Sequence, residues 1–287
     1  MEGFFFPKAW ENTLEETIEK RGKVMVIGEI DRGKTTLCQY LLKEFLKKEE
    51  TVAYMDADVG QSVLGPPTTI GASIFTRFPD DFHKILPDFL WFVGSTSPAY
   101  SIPEVITGTG KLLQEIEKKN VKSIIVDTSG LIKGKEGKRL KFFKALLLEP
   151  DSILYLYKES DREEECIDLL EKAGFMLRRL RVGEYLKNKE RMQRIDFRKN
   201  KFKQYFSGSK VLSLCKKEIV FSSSPVLLRK GQLLGLIEEE GLCLGLGVYI
   251  QERENEISIL TPLKNIDNLR IIWVGELCIN PETGEEI

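Results

Sequence analysis

Histidine is almost missing from this chain: His83 is the single one in 287 residues. That scarcity argues against histidine-based acid–base catalysis and against histidine-rich metal sites. His83 itself lies between apolar runs and reads as a surface loop residue. Five cysteines (Cys38, Cys166, Cys215, Cys243, Cys278) show no C-x-x-C spacing. They therefore argue against a zinc ribbon or a disulfide framework and for a reducing, cytoplasmic setting. No run approaches the roughly 20 apolar residues of a membrane span, so no membrane role is expected. The N-terminus carries Phe4-Phe5-Phe6 but lacks the basic start and small-residue cleavage site of a signal peptide. A net charge of −1 argues against a protein that binds polyanions through its overall charge. What remains, at 42% apolar and 30% charged residues, is an ordinary soluble globular composition. The length allows one large domain or two modest ones.

Two motifs stand out against this background. Gly28-Glu29-Ile30-Asp31-Arg32-Gly33-Lys34-Thr35 fits the G-x-x-x-x-G-K-[ST] phosphate loop. The apolar run Val24 to Ile27 before it predicts a buried parallel strand, and Thr35 to Leu46 after it shows helical spacing. A strand-loop-helix is the context in which free N–H groups and the helix dipole receive phosphate. Gly28 and Gly33 permit the backbone angles and close approach required, with Asp31, Arg32 and Thr36 completing the nucleotide-contacting set. Lys34 is expected on the β- and γ-phosphates of ATP, and the Thr35 hydroxyl on Mg²⁺. The second motif, Asp56-Ala57-Asp58-Val59-Gly60-Gln61, follows another apolar run about twenty residues later. Two positions apart on a strand, Asp56 and Asp58 would share a face. One would orient the metal shell while the other accepts a hydroxyl proton. Asp127, after Ile124-Ile125-Val126, stands where a second metal-supporting carboxylate belongs, and Gln61 could position the acceptor. The alternative for any one of these carboxylates is a turn or helix cap, a common use of aspartate, which weighs most for Asp127.

Alternating elements extend through the first two hundred residues. Strands are expected at Thr51 to Met55, Phe89 to Val93, Ser123 to Val126 and Ser152 to Tyr157, with a helix from Pro103 to Lys119. This rhythm predicts an α/β phosphate-loop fold: a mainly parallel sheet with helices on both faces, and ligands beyond the strands' carboxyl ends. From about Ser207, short strands separated by Gly, Pro and Ser predict a small β-rich C-terminal domain. The expected divisions are a short lead at 1–22, a kinase-like domain at 23–206 and a β-rich domain at 207–287. Basic residues crowd between Arg178 and Lys203, including Lys187 and Lys189 against Glu184, and Arg191, Arg194 and Arg198 share a helix face. Such a row suits a transferring phosphoryl group or a nucleic-acid backbone, or else forms a solvated face. Phe197, Phe202, Tyr205 and Phe206 interleave with these bases and could stack nucleobases or pack into a core. Lys133, Lys135, Lys138, Arg139, Lys141 and Lys144 form a second basic stretch, read as favouring an anionic acceptor.

Together these motifs resemble the polynucleotide 5′-hydroxyl kinases related to the pre-mRNA cleavage-factor kinase subunit and the nucleolar pre-rRNA kinases. The resemblance rests on Gly28 to Thr36, Asp56 to Gln61 continuing into Gly65-Pro66-Pro67-Thr68-Thr69-Ile70-Gly71, Phe92-Val93-Gly94-Ser95-Thr96-Ser97-Pro98, Asp127-Thr128-Ser129-Gly130, and Arg194-x-x-x-Arg198 leading to Tyr205-Phe206. It implies a minimal single-chain kinase that transfers the γ-phosphate of ATP, with Mg²⁺, to the 5′-hydroxyl of RNA, with DNA as a further candidate. By the same resemblance Asp58 would be the general base and Asp56 would sit near the metal. Thr128 would clasp the phosphate loop over Lys34, Arg194 and Arg198 would be lid arginines, and Gln61 would sit near the acceptor. Glu29 and Arg32 depart from the family pattern and are expected to face solvent. The alternative reading is an ATP-bound, non-catalytic scaffold of an RNA-processing complex. A guanine-specific GTPase is disfavoured, since no N-K-x-D-like signature follows the loop.

Overall fold

The structure, a computed structural model, describes residues 6–161, 165–183, 190–222 and 227–287. Phe4 and Phe5, and Glu184, Lys187 and Lys189 of the basic run, lie outside the described residues. The first α-helix is α1 (Glu11–Lys20), whose Leu14 and Ile18 are buried together with Trp10 just before it. There follow β1 (Lys23–Gly28), α2 (Lys34–Phe45), β2 (Val52–Ala57), β3 (Thr69–Phe75), β4 (Phe89–Phe92), α3 (Ile102–Glu117) and β5 (Ser123–Thr128). Next come α4 (Gly134–Leu148), β6 (Ser152–Tyr157), α5 (Glu165–Lys172), β7 (Leu177–Arg181) and α6 (Arg191–Tyr205).

These strands form one sheet in the order β4-β3-β2-β5-β1-β6-β7. β1 pairs in parallel with β5 and β6, β2 with β5, and β6 with β7. Both faces of β1 are covered, as its unbroken apolar run demands. Val24 and Val26 pack with Leu37, Leu41 and Phe45 of α2, while Met25 and Ile27 pack with Leu112 of α3, Leu140 of α4 and Ile167 of α5. The expected α/β architecture is therefore the one observed. It departs from the expected pattern at one edge, where β3 runs antiparallel to β2 and β4 antiparallel to β3. Gly71 and Ser73 interrupt the apolar pattern of β3, so that strand is hard to read locally.

β8 (Lys210–Cys215), β9 (Val220–Phe221), β10 (Gln232–Glu238), β11 (Cys243–Glu252), β12 (Glu256–Thr261) and β13 (Leu269–Cys278) build a second sheet in the order β8-β12-β11-β10-β13-β9. Its ladders are antiparallel apart from the short β13–β9 pair. This is the β-rich C-terminal domain, and it covers the otherwise open β4 edge. Strand alternation turns Leu90 and Phe92 of β4 toward it, where they join Leu233, Leu246 and Ile279 in one cluster. Phe92 seats in a socket made by two glycines. A Cβ at Gly235 would collide with its ring, and one at Gly275 would sit 2.9 Å from its Cζ. The Glu276 N–H closes the seam by donating to the Gly94 carbonyl at 2.8 Å. Phe202 and Phe206 of α6 enter the same cluster, and the Leu246 N–H donates to Tyr205 Oη at 2.7 Å. Phe92→Ala should cost about 3–5 kcal/mol of stability, the range for emptying a buried aromatic site. Urea unfolding measures it, and a loss below about 1 kcal/mol would mean that the socket collapses without consequence.

Candidate active site

The phosphate loop joins β1 to α2 across one end of the sheet. Gly28 ends the strand at φ 151°, with Leu156 O only 2.5 Å from where a Cβ would stand. Gly33 takes φ 84° as the residue before α2, a left-handed turn that glycine enters without steric cost. α2 then presents the free N–H groups of its first turn. Lys34 is buried, and its ammonium donates to the Glu29 carbonyl at 2.8 Å. The Thr35 hydroxyl donates to Asp127 Oδ2 at 2.6 Å, and Tyr54 Oη donates to the same oxygen at 3.2 Å. Asp127 Oδ1 is buried with no hydrogen bond among the described residues.

β2 ends at Ala57, and the two aspartates of the second motif part there. The Asp58 N–H donates to Asp56 Oδ1 at 3.1 Å. Asp56 Oδ2 accepts from the Val63 N–H at 2.6 Å, the Leu64 N–H at 3.0 Å and the Ser62 hydroxyl at 3.1 Å. Asp56 is thus wholly buried with both oxygens engaged, and it folds the loop rather than facing a metal. The chain bends after Ala57, so the shared face expected of Asp56 and Asp58 does not form. Asp58 turns out to line the cleft, with its Oδ1 accepting from the Gly60 and Gln61 N–H groups at 3.1 Å each. Burial, and then Asp127 beside it in register, push the Asp56 carboxyl up to about 7. Burial likewise raises Asp127 above the usual carboxylate range despite the Thr35 donation.

The cleft measures about 1060 Å³. Asp31, Gly33, Lys34, Thr35, Thr36, Asp58, Gln61, Arg194 and Arg198 all line it, so residues scattered over 168 positions of sequence converge as expected at the strand ends. Five predicted residues do not line it: Asp56 and Asp127, described above, and Gly28, Arg32 and Thr128. Arg32 is buried and points away from the cleft, its guanidinium gripping Asp161 in a two-pronged pair (Nε to Oδ2 3.0 Å, Nη2 to Oδ1 2.7 Å). The solvent-facing placement expected for Arg32 and Glu29 is thus corrected: Arg32 straps the loop to the segment after β6, and Glu29 pairs with Lys133 at 2.6 Å. Gly28 lies behind the cleft and spaces β1 from β6. Thr128 is also buried, because it completes β5; its hydroxyl donates to the Val26 carbonyl at 2.8 Å and does not reach Lys34. The segment after it does the clasping. A Cβ at Gly130 would lie 2.7 Å from Ile30 N, so only glycine lets this segment lie flat on the phosphate loop.

The basic stretches also divide. Lys141 and Lys144 are fully buried on the inner face of α4, not part of a surface patch. Lys141 donates to Thr128 Oγ1 at 2.9 Å and to the Ser129 carbonyl at 2.6 Å. Burial pushes the Lys144 ammonium down to about 8. On α6, Arg194 Nη1 meets Asp31 Oδ2 at 3.3 Å and Arg198 Nε donates to Glu286 Oε1 at 2.6 Å. Gln61 Nε2 donates to the Arg194 carbonyl at 3.3 Å, and Lys201 Nζ to the Val63 carbonyl at 2.8 Å. The helix is thereby stitched to the loop that carries Asp58. Of its aromatics, Phe202 and Phe206 are core, Tyr205 is tied to Leu246, and Phe197 lines the cleft. Asp161, Ser62 and Tyr54 were not singled out from the sequence, and Lys201 stood out only as a member of the basic run. Only Tyr54 carried a local signal, since it shares a strand face with Asp56.

Breaking the Arg32–Asp161 pair strands a buried charge, so Arg32→Ala should lower stability by about 2–3 kcal/mol. Chemical denaturation reads this directly. An unchanged midpoint would show that the strap holds nothing.

A mainly parallel sheet, a phosphate loop opening a helix, and a carboxylate on the adjacent strand hydrogen-bonded to the loop threonine define a phosphate-loop nucleotide-binding protein. Residues 28–208 match the model of the mRNA cleavage and polyadenylation factor CLP1 P-loop, and the chain belongs to that family. It is 30% identical to a polyribonucleotide 5′-hydroxyl-kinase of Pyrococcus furiosus, an alignment covering 94% of this chain and 91% of that protein. A polyribonucleotide 5′-hydroxyl-kinase of Methanocaldococcus jannaschii is likewise 30% identical, over 94% of this chain and 90% of the relative. Among solved structures, wild-type Clp1p in complex with Pcf11p superposes with a TM-score of 0.73 at 13% identity, over 96% of this chain and 80% of that one, a likeness of fold. Among the described residues no helix is long and apolar enough to cross a membrane.

Proposed function

We propose that this protein is a polynucleotide 5′-hydroxyl kinase that moves the γ-phosphoryl group of ATP to the 5′-hydroxyl of RNA, with DNA as a further acceptor. One observation carries the reading: a single cleft holds the phosphate loop, an aspartate free to meet a hydroxyl, and two arginines on one helix. The names of the two archaeal relatives, which align over nearly their whole lengths, support it.

The residues divide the work as follows. Lys34 leaves the Glu29 carbonyl for the β- and γ-phosphate oxygens. Asp58, held by the Gly60 and Gln61 N–H groups through one oxygen, takes the proton of the 5′-hydroxyl as its oxygen bonds phosphorus and ADP departs. Arg194 and Arg198 exchange the carboxylates of Asp31 and Glu286 for the oxygens of the moving phosphoryl group. The donor set fits magnesium, since the Thr35 hydroxyl and the orphaned, buried Asp127 oxygen are hard oxygen ligands at the loop. When bound, Mg²⁺ would add positive charge to the phosphate oxygens. Asp56 takes no part in that set; it holds the Asp58 loop in shape.

The test is transfer of labelled γ-phosphate to short 5′-hydroxyl RNA and DNA strands, with Mg²⁺ and with EDTA. Labelling that disappears with EDTA supports the kinase, and the RNA-to-DNA ratio ranks the acceptors. No labelling of either strand by protein that still binds ATP would overturn the reading in favour of a nucleotide-bound scaffold.

A further inference from the structure

At about 1060 Å³ the cleft stands at the upper end of the roughly 300–1,000 Å³ of a small-ligand pocket. The phosphate loop accounts for part of its lining. Val63, His83, Phe197 and the turn of Thr96 to Ala99 line it as well. Along α6, Arg194 meets Asp31 of the phosphate loop and Phe197 follows about one turn on, toward Lys201 and its bond to the Val63 carbonyl. Val63, His83 and Phe197 contribute two apolar side chains and an imidazole, in contrast to the arginines, Lys34 and aspartates elsewhere in the lining. His83 comes from a 3₁₀ turn (Phe82–Lys84) fixed by the Asp81 carboxylate, which accepts from the His83 N–H at 2.9 Å. Phe197 comes from α6. The two rings meet edge to face, with centroids 6.1 Å apart and planes at 67°.

We propose that His83 and Phe197 form a platform for the 5′-terminal nucleobase of the acceptor strand, an inference that rests on the kinase reading above. Three observations point there. The rings line the same cleft as Asp58, and Phe197 stands about one helical turn past Arg194, which itself meets Asp31 of the phosphate loop. They therefore offer a seat for the first nucleoside of a strand whose 5′-hydroxyl meets that carboxylate. The two rings offer π-faces, and Phe197 brings no hydrogen-bond donor to select a base edge. Such a surface stacks any base, as proteins that handle single strands without sequence preference do. Phe197 also sits one residue before Arg198 and three after Arg194 on the same helix. A base seated on Phe197 therefore steadies the segment that carries both arginines, and acceptor arrival is coupled to their placement over the phosphoryl group. All four bases are accepted, with purines ahead of pyrimidines because they offer the larger stacking face.

The experiment pairs two acceptors with one variant. Trinucleotides with a 5′-hydroxyl are compared with the same strand lacking only its first base. Wild-type protein should prefer the complete strand in kcat/KM by about tenfold, the ratio for one stacked base. In Phe197→Leu, which keeps apolar bulk in the helix, the ratio should fall toward one through loss on the complete strand alone. Equal use of both acceptors by wild type, or an equal loss on both in the variant, would overturn the platform. Because His83 is the only histidine, its ring gives one set of imidazole NMR signals. These should move on titration with the complete trinucleotide and stay put with the abasic one, and an unmoved ring would also overturn the proposal. This binding readout needs no transfer. A protein that labels no acceptor yet shows base-dependent shifts would refute the kinase while keeping the platform, and labelling with no base dependence would do the reverse.

Discussion

Asp58→Asn should lower turnover by about 10³-fold, within the 10²–10⁴ range of a general base, while ATP affinity stays near that of the wild type. The substitution separates chemistry from architecture. Asn keeps a carbonyl oxygen where Asp58 Oδ1 receives the Gly60 and Gln61 N–H groups, so the loop keeps its shape. What is lost is the second carboxylate oxygen and with it the proton acceptor. Lys34, Thr35 and Asp127 do not depend on that oxygen, and the nucleotide cradle should remain whole. Measuring kcat by phosphate transfer and Kd by ATP titration gives the two numbers needed. Turnover close to wild type would remove Asp58 from its role. A parallel collapse of ATP binding would assign it to the cradle instead.

Arg198→Ala should lower kcat by about 10³-fold, the lower bound for an arginine acting on a phosphoryl transition state. ATP affinity should change little, because the group acts on charge that develops during transfer. In the structure this arginine holds Glu286, and its neighbour Lys199 holds Glu285. On the assignment proposed for Arg198, this acidic pair would compete with the phosphoryl group for the helix. Glu286→Gln removes the competing charge and should raise kcat by about two- to fivefold, the worth of one partly exposed ion pair. A rise in acceptor KM with kcat unchanged in Arg198→Ala would place the residue on the nucleic-acid strand rather than on the transferred phosphate.

Local chemistry was legible and long-range pairing was not. The phosphate loop, the helix after it and the strand before it follow from spacing within twenty residues, and they stand where expected. The turn at Asp58 was recognisable as a motif, but its internal geometry was not. Asp56 looked like a metal neighbour because a strand with period two puts residues i and i+2 on one face; the strand stops at Ala57 and the second carboxylate swings away. Arg32 looked like a surface residue because its partner Asp161 lies 129 positions on. Lys141 and Lys144 looked like an anion-binding patch because charge runs commonly face water. Helical spacing puts them instead on the side of α4 shared with Gly137, Leu140, Ala145 and Leu148, where the sheet covers them. Spacing reveals which residues share a face. It does not reveal which face is covered.

The grip of the C-terminal sheet on α6 gives that sheet a mechanical part in turnover. Phe202 and Phe206 are clamped in the interface core and Tyr205 is tied to Leu246, while Arg194 stands twelve residues before Phe206, about 18 Å along the helix axis. The helix is a lever, and its fulcrum is built from β10, β11 and the Ile279 end of the chain. A tilt of about 5° at that fulcrum sweeps the arginine end through about 1.5 Å. Misplacement by about 1 Å can cost 10²-fold in rate. Repacking at Leu233 or Leu246, which lie outside the cleft's lining, should therefore lower the rate of phosphate transfer by up to about 10²-fold.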